Sequence, residues 1–197
     1  MGKPIVVLIS GSGTNLQALL DHPDLGGRVE LAVSDRPDAA GLERARAAGV
    51  EACCVDYRAW PERRSWEAAL SERVAAATPD LVVLAGFMRV LSPAFVARWP
   101  IINVHPSLLP AFPGAHAVAD ALAWGVKVTG STVHFVDEQV DHGPIIAQEA
   151  VHVRLDDTPE SLHARIKAVE HRLLPCCVAL FCRDRLRVEG RVVRIAP

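Results

Sequence analysis

The sequence predicts an α/β fold, a doubly wound, mostly parallel sheet with an antiparallel C-terminal extension. Three observations predict it. Short β-branched runs alternate with Ala-rich segments of helix length. Most positions in those runs are apolar, as in strands covered by helices on both faces. After residue 104 the texture changes to a Pro-rich loop and two longer strand-like runs around a Gly-Pro connector. The 197 residues, half of them hydrophobic, suit a single domain over 1–197 and exclude disorder.

Residues 5–9, 29–33, 51–55, 81–85 and 101–104 read as the strands of the parallel region. Between them, 14–20, 39–48, 60–77 and 93–98 read as helices. In the third helix, Trp66, Leu70, Val74 and Ala77 recur at helical spacing as a core-facing stripe. Right-handed crossovers then wind the sheet. Residues 105–114 carry three prolines and a glycine, the composition of a rigid loop. Residues 115–124 read as a helix, and 126–136 and 144–153 as antiparallel strands joined by a functional loop through Asp141-His142-Gly143-Pro144. A last helix starts near Thr158, with Pro159 in its first turn, and runs towards Phe181. Pro175 is expected to kink or interrupt it. Residues 185–195 read as a short hairpin centred on Glu189-Gly190.

Lys and Arg total 21 against 23 Asp and Glu, for a net charge of −2. That balance provides no global footprint for nucleic acid or an anionic membrane. The five cysteines, two adjacent pairs and Cys182, fit neither a disulfide framework nor a zinc signature, and reduced thiols are expected. The first apolar run spans five residues, too short for a signal peptide or a spanning helix. The expected location is cytoplasmic.

Gly11-Ser12-Gly13-Thr14-Asn15 directly follows the first strand and opens the first helix. Glycines allow close backbone approach, and a helix N-terminus offers unpaired N–H groups to an anion. The bland alternative is a tight turn capped by Ser or Thr. Leu16 occupies the position where a dinucleotide fingerprint wants a small residue, and no Gly-Lys-Ser/Thr follows. A phosphomonoester is the expected ligand.

Asn103-Val104-His105-Pro106 ends the fifth strand, where open α/β sheets build their sites. Period-2 alternation turns Asn103 and His105 to one side. An amide donor can meet a developing oxyanion, and an imidazole can move a proton. Asp141, in the loop between the later strands, is placed to pair with His105 and raise its pKa. A metal site built from Asp141, His142, His105 and His134 matches no known spacing, so no metal is expected.

These residues carry a resemblance. The apolar run 6–9 with Gly-Ser-Gly-Thr-Asn, then Leu84-Ala-Gly-Phe-Met-Arg-Val-Leu91, then Asn103-Val-His-Pro-Ser-Leu-Leu-Pro110, resemble the glycinamide ribonucleotide formyltransferase family. Ser131-Thr-Val-His-Phe-Val136, Asp141-His-Gly-Pro144 and Glu170-His171 follow in the same order, so the likeness extends from residue 5 to about 175. It implies a Rossmann-like formyltransferase fold, with a phosphate-binding half over 1–100 and a catalytic and folate-binding half over 101–197. It also implies formyl transfer from 10-formyltetrahydrofolate, as co-substrate, to the amine of glycinamide ribonucleotide in purine biosynthesis.

By the same resemblance, Asn103, His105 and Asp141 are the catalytic trio. Gly11, Ser12, Gly13, Thr14, Asn15 and Glu170 hold the ribonucleotide. Arg63, Met88, Arg89, Val90, Leu91, Asn103, Asp137, Glu138, Gln139, Val140 and Asp141 hold the folate, with Arg64 an alternative to Arg63. His134 supports the site as a structural histidine. Without the resemblance, Met88, Val90 and Leu91 read as core and Glu170 as a solvent-facing carboxylate. Departures from the family pattern are Asp35 for Asn, Ala111 for Lys, Val118 for a second histidine after His116, and His142 for Gly. The Leu109-Pro110 bond is cis in the family. The partners expected are the two small molecules, with no nucleic acid and no membrane, and a homodimer is left open. Alternatives are a formyltetrahydrofolate hydrolase or another sibling formyltransferase. At 197 residues the chain leaves no room for the extra domain of the tRNA-acting sibling.

Overall fold

A computed structural model describes residues 2–196, so the end residues of the expected 1–197 domain lie outside the described part. The chain falls into two compact units divided after Ile102.

The first unit follows the predicted alternation. β1 (Lys3–Ile9), β2 (Gly27–Ser34), β3 (Glu51–Cys54) and β4 (Leu81–Leu84) alternate with α1 (Thr14–Leu20), α2 (Gly41–Ala47) and α3 (Arg63–Ala76). The strands pair in parallel in the order β3-β2-β1-β4. All of Ile5, Val6, Val7, Leu8 and Ile9 are fully buried, as are all four residues of β4 to within a few per cent. A fully buried Leu or Ile contributes about 1.5–3 kcal/mol relative to an exposed one, so these central strands carry the unit. α3 starts at Arg63, not at residue 60. The segment before it forms a 3-10 turn, Tyr57–Ala59, capped by Asp56, and Pro61 precedes the N-cap Glu62. The predicted stripe is buried at Trp66, Leu70 and Val74. Trp66 also donates from Nε1 to Val55 O at 2.8 Å, which ties α3 to the end of β3. After β4, a short α4 (Pro93–Val96) leads to β5 (Ile101–His105), whose last three residues open the second unit.

In the second unit α5 (Ala117–Trp124) precedes β6 (Val128–Phe135) and β7 (Ile145–His152). β6 and β7 pair antiparallel, with a register shift between Val133 and His134. α6 (Pro159–Cys182) follows, then β8 (Leu186–Glu189) and β9 (Val192–Ile195), in the sheet order β6-β7-β9-β8. α6 begins with a capping box in which Thr158 and Ser161 bond each other's backbone N–H. It runs through Pro175 without interruption, which corrects the interruption named as one of the two expected effects of that proline. Pro175 is buried, as are Leu174, Cys177 and Val178 beside it in the helix, so packing supports the turn that lacks its N–H. The hairpin pairs Glu189 with Val192, which centres its turn one residue later, on Gly190-Arg191, with Gly190 at φ 62°. Among the described residues no cysteine is in a disulfide, and burial pushes the Cys177 thiol up to about 12.

Candidate active site

The end of β5 and the loop after β6 bring Asn103, His105, Asp141 and His134 together in the second unit. Asn103 Nδ2 donates to Asp141 Oδ1 at 3.3 Å and lies 3.1 Å from His134 Nε2. His105 Nδ1 stands 3.4 Å from Asp141 Oδ2, and the Gly114 N–H donates to that same oxygen at 2.7 Å. Two backbone carbonyls settle the imidazole protons. A carbonyl only accepts, so His105 carries a proton on Nε2, 2.8 Å from Phe112 O, and His134 carries one on Nδ1, 2.8 Å from Phe135 O. The titrating nitrogen of His105 is therefore Nδ1, facing Asp141. Asn103 Nδ2 can only donate, so the amide is turned with NH₂, not oxygen, towards His134 Nε2 and Asp141.

Burial pushes the His105 pKa down, and the charge of Asp141 with the Phe112 carbonyl only partly offsets it, so the ring lies below the ordinary histidine value. This corrects the expected net rise: Asp141 acts in that direction but desolvation exceeds it. For Asp141, burial opposes ionisation, yet the His134 ring, the Gly114 amide and the charge on His105 together hold the carboxyl below its usual range. At neutral pH the site rests as a carboxylate beside a mostly neutral imidazole.

Backbone constraint holds this geometry. Asp141 and Phe112 both take positive φ, 51° and 53°, conformations that non-glycine residues adopt at a cost of about 1–3 kcal/mol each. A Cβ on Gly143 would sit 1.9 Å from Phe135 O, so only glycine lets the loop close against β6 where its register shifts. The rigid loop after His105, with its cis Leu109-Pro110 bond, is clamped from the sheet. Thr132 Oγ1 donates to Ser107 O at 2.6 Å and accepts from Leu109 N–H at 3.0 Å. Gln148 Nε2 donates to Leu109 O and Thr132 Oγ1, both at 2.9 Å, and Ser107 Oγ donates to Ala111 O at 2.5 Å. Sequence reasoning missed Thr132 and Gln148. Their signal is a polar side chain at strand positions 132 and 148, which pair directly across β6 and β7.

In the first unit, the loop at Gly11, Ser12, Gly13, Thr14 and Asn15 opens α1 with Gly13 itself as N-cap, at φ 70°. This replaces the Ser/Thr-capped turn of the bland alternative. A Cβ on Gly13 would meet Gly41 Cα at 2.4 Å, and Gly41 N–H donates to Gly11 O at 3.0 Å, so α2 packs directly on the loop. Gly11 and Ser12 remain exposed. Of the segment 88–91, Met88 is 66% and Val90 55% exposed, overturning their reading as core, whereas Leu91 is buried. Arg63 Nη2 donates to Val90 O at 2.7 Å, which places Arg63, the expected member of the pair with Arg64, on this segment. Arg89 donates from Nε to Asp35 at 2.6 Å and stacks over the Tyr57 ring at 4.0 Å. The departure Asp35 is thereby the buried counter-ion of Arg89.

In the second unit Glu170 is buried, not solvent-facing. Glu138, Gln139 and Val140 are exposed, and Asp137 folds back to accept the Gln139 N–H at 3.0 Å. Val118 joins Val151, Leu162, Ile166 and Val169 in an apolar cluster, a physical reason for an apolar residue at that departure. His142 pairs with Asp137 at 2.7 Å. Ala111 is exposed. Among the described residues, no group of three or more His, Cys, Asp or Glu side chains is placed to hold a metal ion. No helix among them is long and apolar enough to cross a membrane.

Comparison with known proteins adds to this geometry. The profile of the family described as formyl transferase matches residues 3–178. The chain is 48% identical over 191 residues to phosphoribosylglycinamide formyltransferase of Mycobacterium tuberculosis strain H37Rv, covering 95% of this chain and 88% of that one. It is 42% identical over 190 residues to the Escherichia coli K12 protein of the same name, covering 94% and 90%. Its fold superposes on the crystal structure of glycinamide ribonucleotide transformylase 1 from Symbiobacterium toebii with a TM-score of 0.95 at 54% identity, covering 100% of this chain and 95% of that one.

Proposed function

The chain belongs to the formyl transferase family, and from that premise we propose that it transfers the formyl group of 10-formyltetrahydrofolate to the amino group of N1-(5-phospho-D-ribosyl)glycinamide, in purine biosynthesis. The carrying observation is the convergence of Asn103, His105 and Asp141 in a chain so similar to enzymes named for that reaction.

The amine attacks the formyl carbon, a tetrahedral oxyanion forms, and the bond from carbon to N10 breaks as N10 takes a proton. Asn103 Nδ2 has one N–H committed to His134, and its second is held by Asp141 at only 3.3 Å. That second N–H turns to the developing oxyanion. The proton lost by the amine is taken up by the His105–Asp141 pair, at Nδ1, and returned to N10 as the bond breaks. A ring that starts mostly neutral suits this order, acceptor first and donor second, and Asp141 stabilises the imidazolium between the two steps. The main chain and side chains at 11–15 hold the phosphate, and Glu170 the ribose. Arg63, segment 88–91 and segment 137–141 hold the folate. No metal takes part in any step.

The test is tetrahydrofolate release from 10-formyltetrahydrofolate with phosphoribosylglycinamide present or omitted. Release that requires the acceptor, with formylated product in equal amount, is the expected result. Release without acceptor makes the chain a hydrolase.

A further inference from the structure

The turn of the β8–β9 hairpin carries Arg191, and the proposed chemistry of the site does not use it. Its guanidinium nevertheless reaches the residue next to Asp141. Arg191 Nη2 donates to His142 O at 2.6 Å, and Nη1 lies 3.2 Å from His142 Nε2 and 3.4 Å from Nδ1. The His142 ring continues the chain of contacts, with Nδ1 2.7 Å from Asp137 Oδ2, while Asp137 Oδ1 accepts the Gln139 N–H. A carboxylate accepts, so Nδ1 carries the proton and bare Nε2 receives the Arg191 N–H. The bonds run donor to acceptor from Arg191 through His142 to Asp137, whose other oxygen accepts from the Gln139 N–H.

We propose that Arg191 and His142 are positioning residues that brace the 137–141 segment for 10-formyltetrahydrofolate. The proposal rests on the reading of that segment as folate-binding. The segment itself offers little to order it. Glu138, Gln139 and Val140 are exposed, and Asp141 at its end takes a left-handed backbone conformation. Glycine at position 142, the residue the family pattern carries there, supplies no ring to relay from the hairpin. In this chain the ring occupies that place, and the hairpin turn puts a forked donor over it. Asp141 is also held independently by Gly114 and Asn103, so loss of the brace loosens 137–140 more than it displaces the carboxylate.

The test is Arg191→Ala in the full chain, read by two measurements. Amide hydrogen exchange of residues 138–142 is expected to accelerate. KM for 10-formyltetrahydrofolate is expected to rise about three- to tenfold, with kcat and KM for phosphoribosylglycinamide within about twofold, the scale that a few exposed charged contacts carry. Arg191→Lys, which keeps one donor for His142 O, is expected to recover part of the folate KM. His142→Gly, which keeps that main-chain bond and loses the ring, is expected to give a smaller rise than Arg191→Ala. Unchanged exchange in Arg191→Ala overturns the brace itself. Faster exchange with an unchanged folate KM overturns instead the placement of folate at this segment. A fall in kcat with both KM values unchanged overturns the positioning role and moves the effect to Asp141.

Discussion

Replacing Asp141 with asparagine removes a charge from the center of the site while keeping its shape. The carboxylate oxygen lies 3.4 Å from His105 Nδ1. At an effective dielectric of about 20, that separation corresponds to about 5 kcal/mol as an upper bound. Partial solvent access keeps the real interaction below that bound, but its direction is to favour the charged imidazole. His105 already lies below its ordinary value because it is buried, so losing Asp141 lowers it further. The imidazolium that must form between the two proton transfers becomes scarcer. Asn103 adds a second cost. The new amide accepts from Gly114 with its oxygen and so turns NH₂ towards Asn103 Nδ2, donor against donor. A fall in kcat of about 10²–10³-fold is expected for Asp141→Asn, measured as tetrahydrofolate release at saturating substrates and neutral pH. The variant should remain folded by circular dichroism. A kcat within threefold of the parent refutes the proton-holding role of the His105–Asp141 pair.

Thr132→Val leaves the Leu109 N–H and Ser107 carbonyl without the hydroxyl they share, at about 1–3 kcal/mol for each buried group. For a chain of this size a fall in Tm on the order of 5–15 °C should follow, and an unchanged Tm removes the clamp from the account. Stability should also depend on mild acid. His105, His163 and His171 all lie below their ordinary value of 6.5, with burial the largest cause in each. The folded protein therefore binds fewer protons than the unfolded chain just below that pH. Their contribution is fully present above about 6.5 and declines as pH falls through the depressed values. The carboxylates Asp137, Asp141 and Asp157, the last held down at about 2, lose theirs only in stronger acid. Tm should thus fall between about pH 7.5 and 5.5, and a flat or rising profile there contradicts the assignment of neutral buried histidines.

The central parallel strands were legible because β4 is buried along its whole length and β1 from Ile5 to Ile9, and uniform burial writes an uninterrupted apolar run. Asn103 and His105 were legible as a pair because β-strand alternation brings them to one side of β5. Asp141 was not legible from spacing alone. It reaches His105 across 35 intervening positions of chain through a register shift and a left-handed residue, so its place in the loop between strands offered it as a candidate partner of His105, and the family resemblance added the catalytic role. The hidden part consists of contacts made by or to backbone: Phe112 O to His105, Phe135 O to His134, Val90 O to Arg63. A carbonyl has no letter in the sequence. The net direction of the His105 pKa was misread for a related reason, since the opposing charge is visible as Asp141 while the desolvation belongs to the packing. Without the family resemblance, Met88 and Val90 read as core because an exposed apolar side chain looks like a buried one in a hydropathy pattern.

The central claim is that the Asn103 amide meets the oxyanion while the adjacent pair carries the proton. The direct measurement is kcat for formyl transfer by Asn103→Ala, with phosphoribosylglycinamide binding followed separately to confirm an intact fold. Loss of one oxyanion donor costs about 2.7–4 kcal/mol of barrier, so a fall of roughly 10²–10³-fold with binding retained is the expected result. Turnover close to that of the parent contradicts the claim.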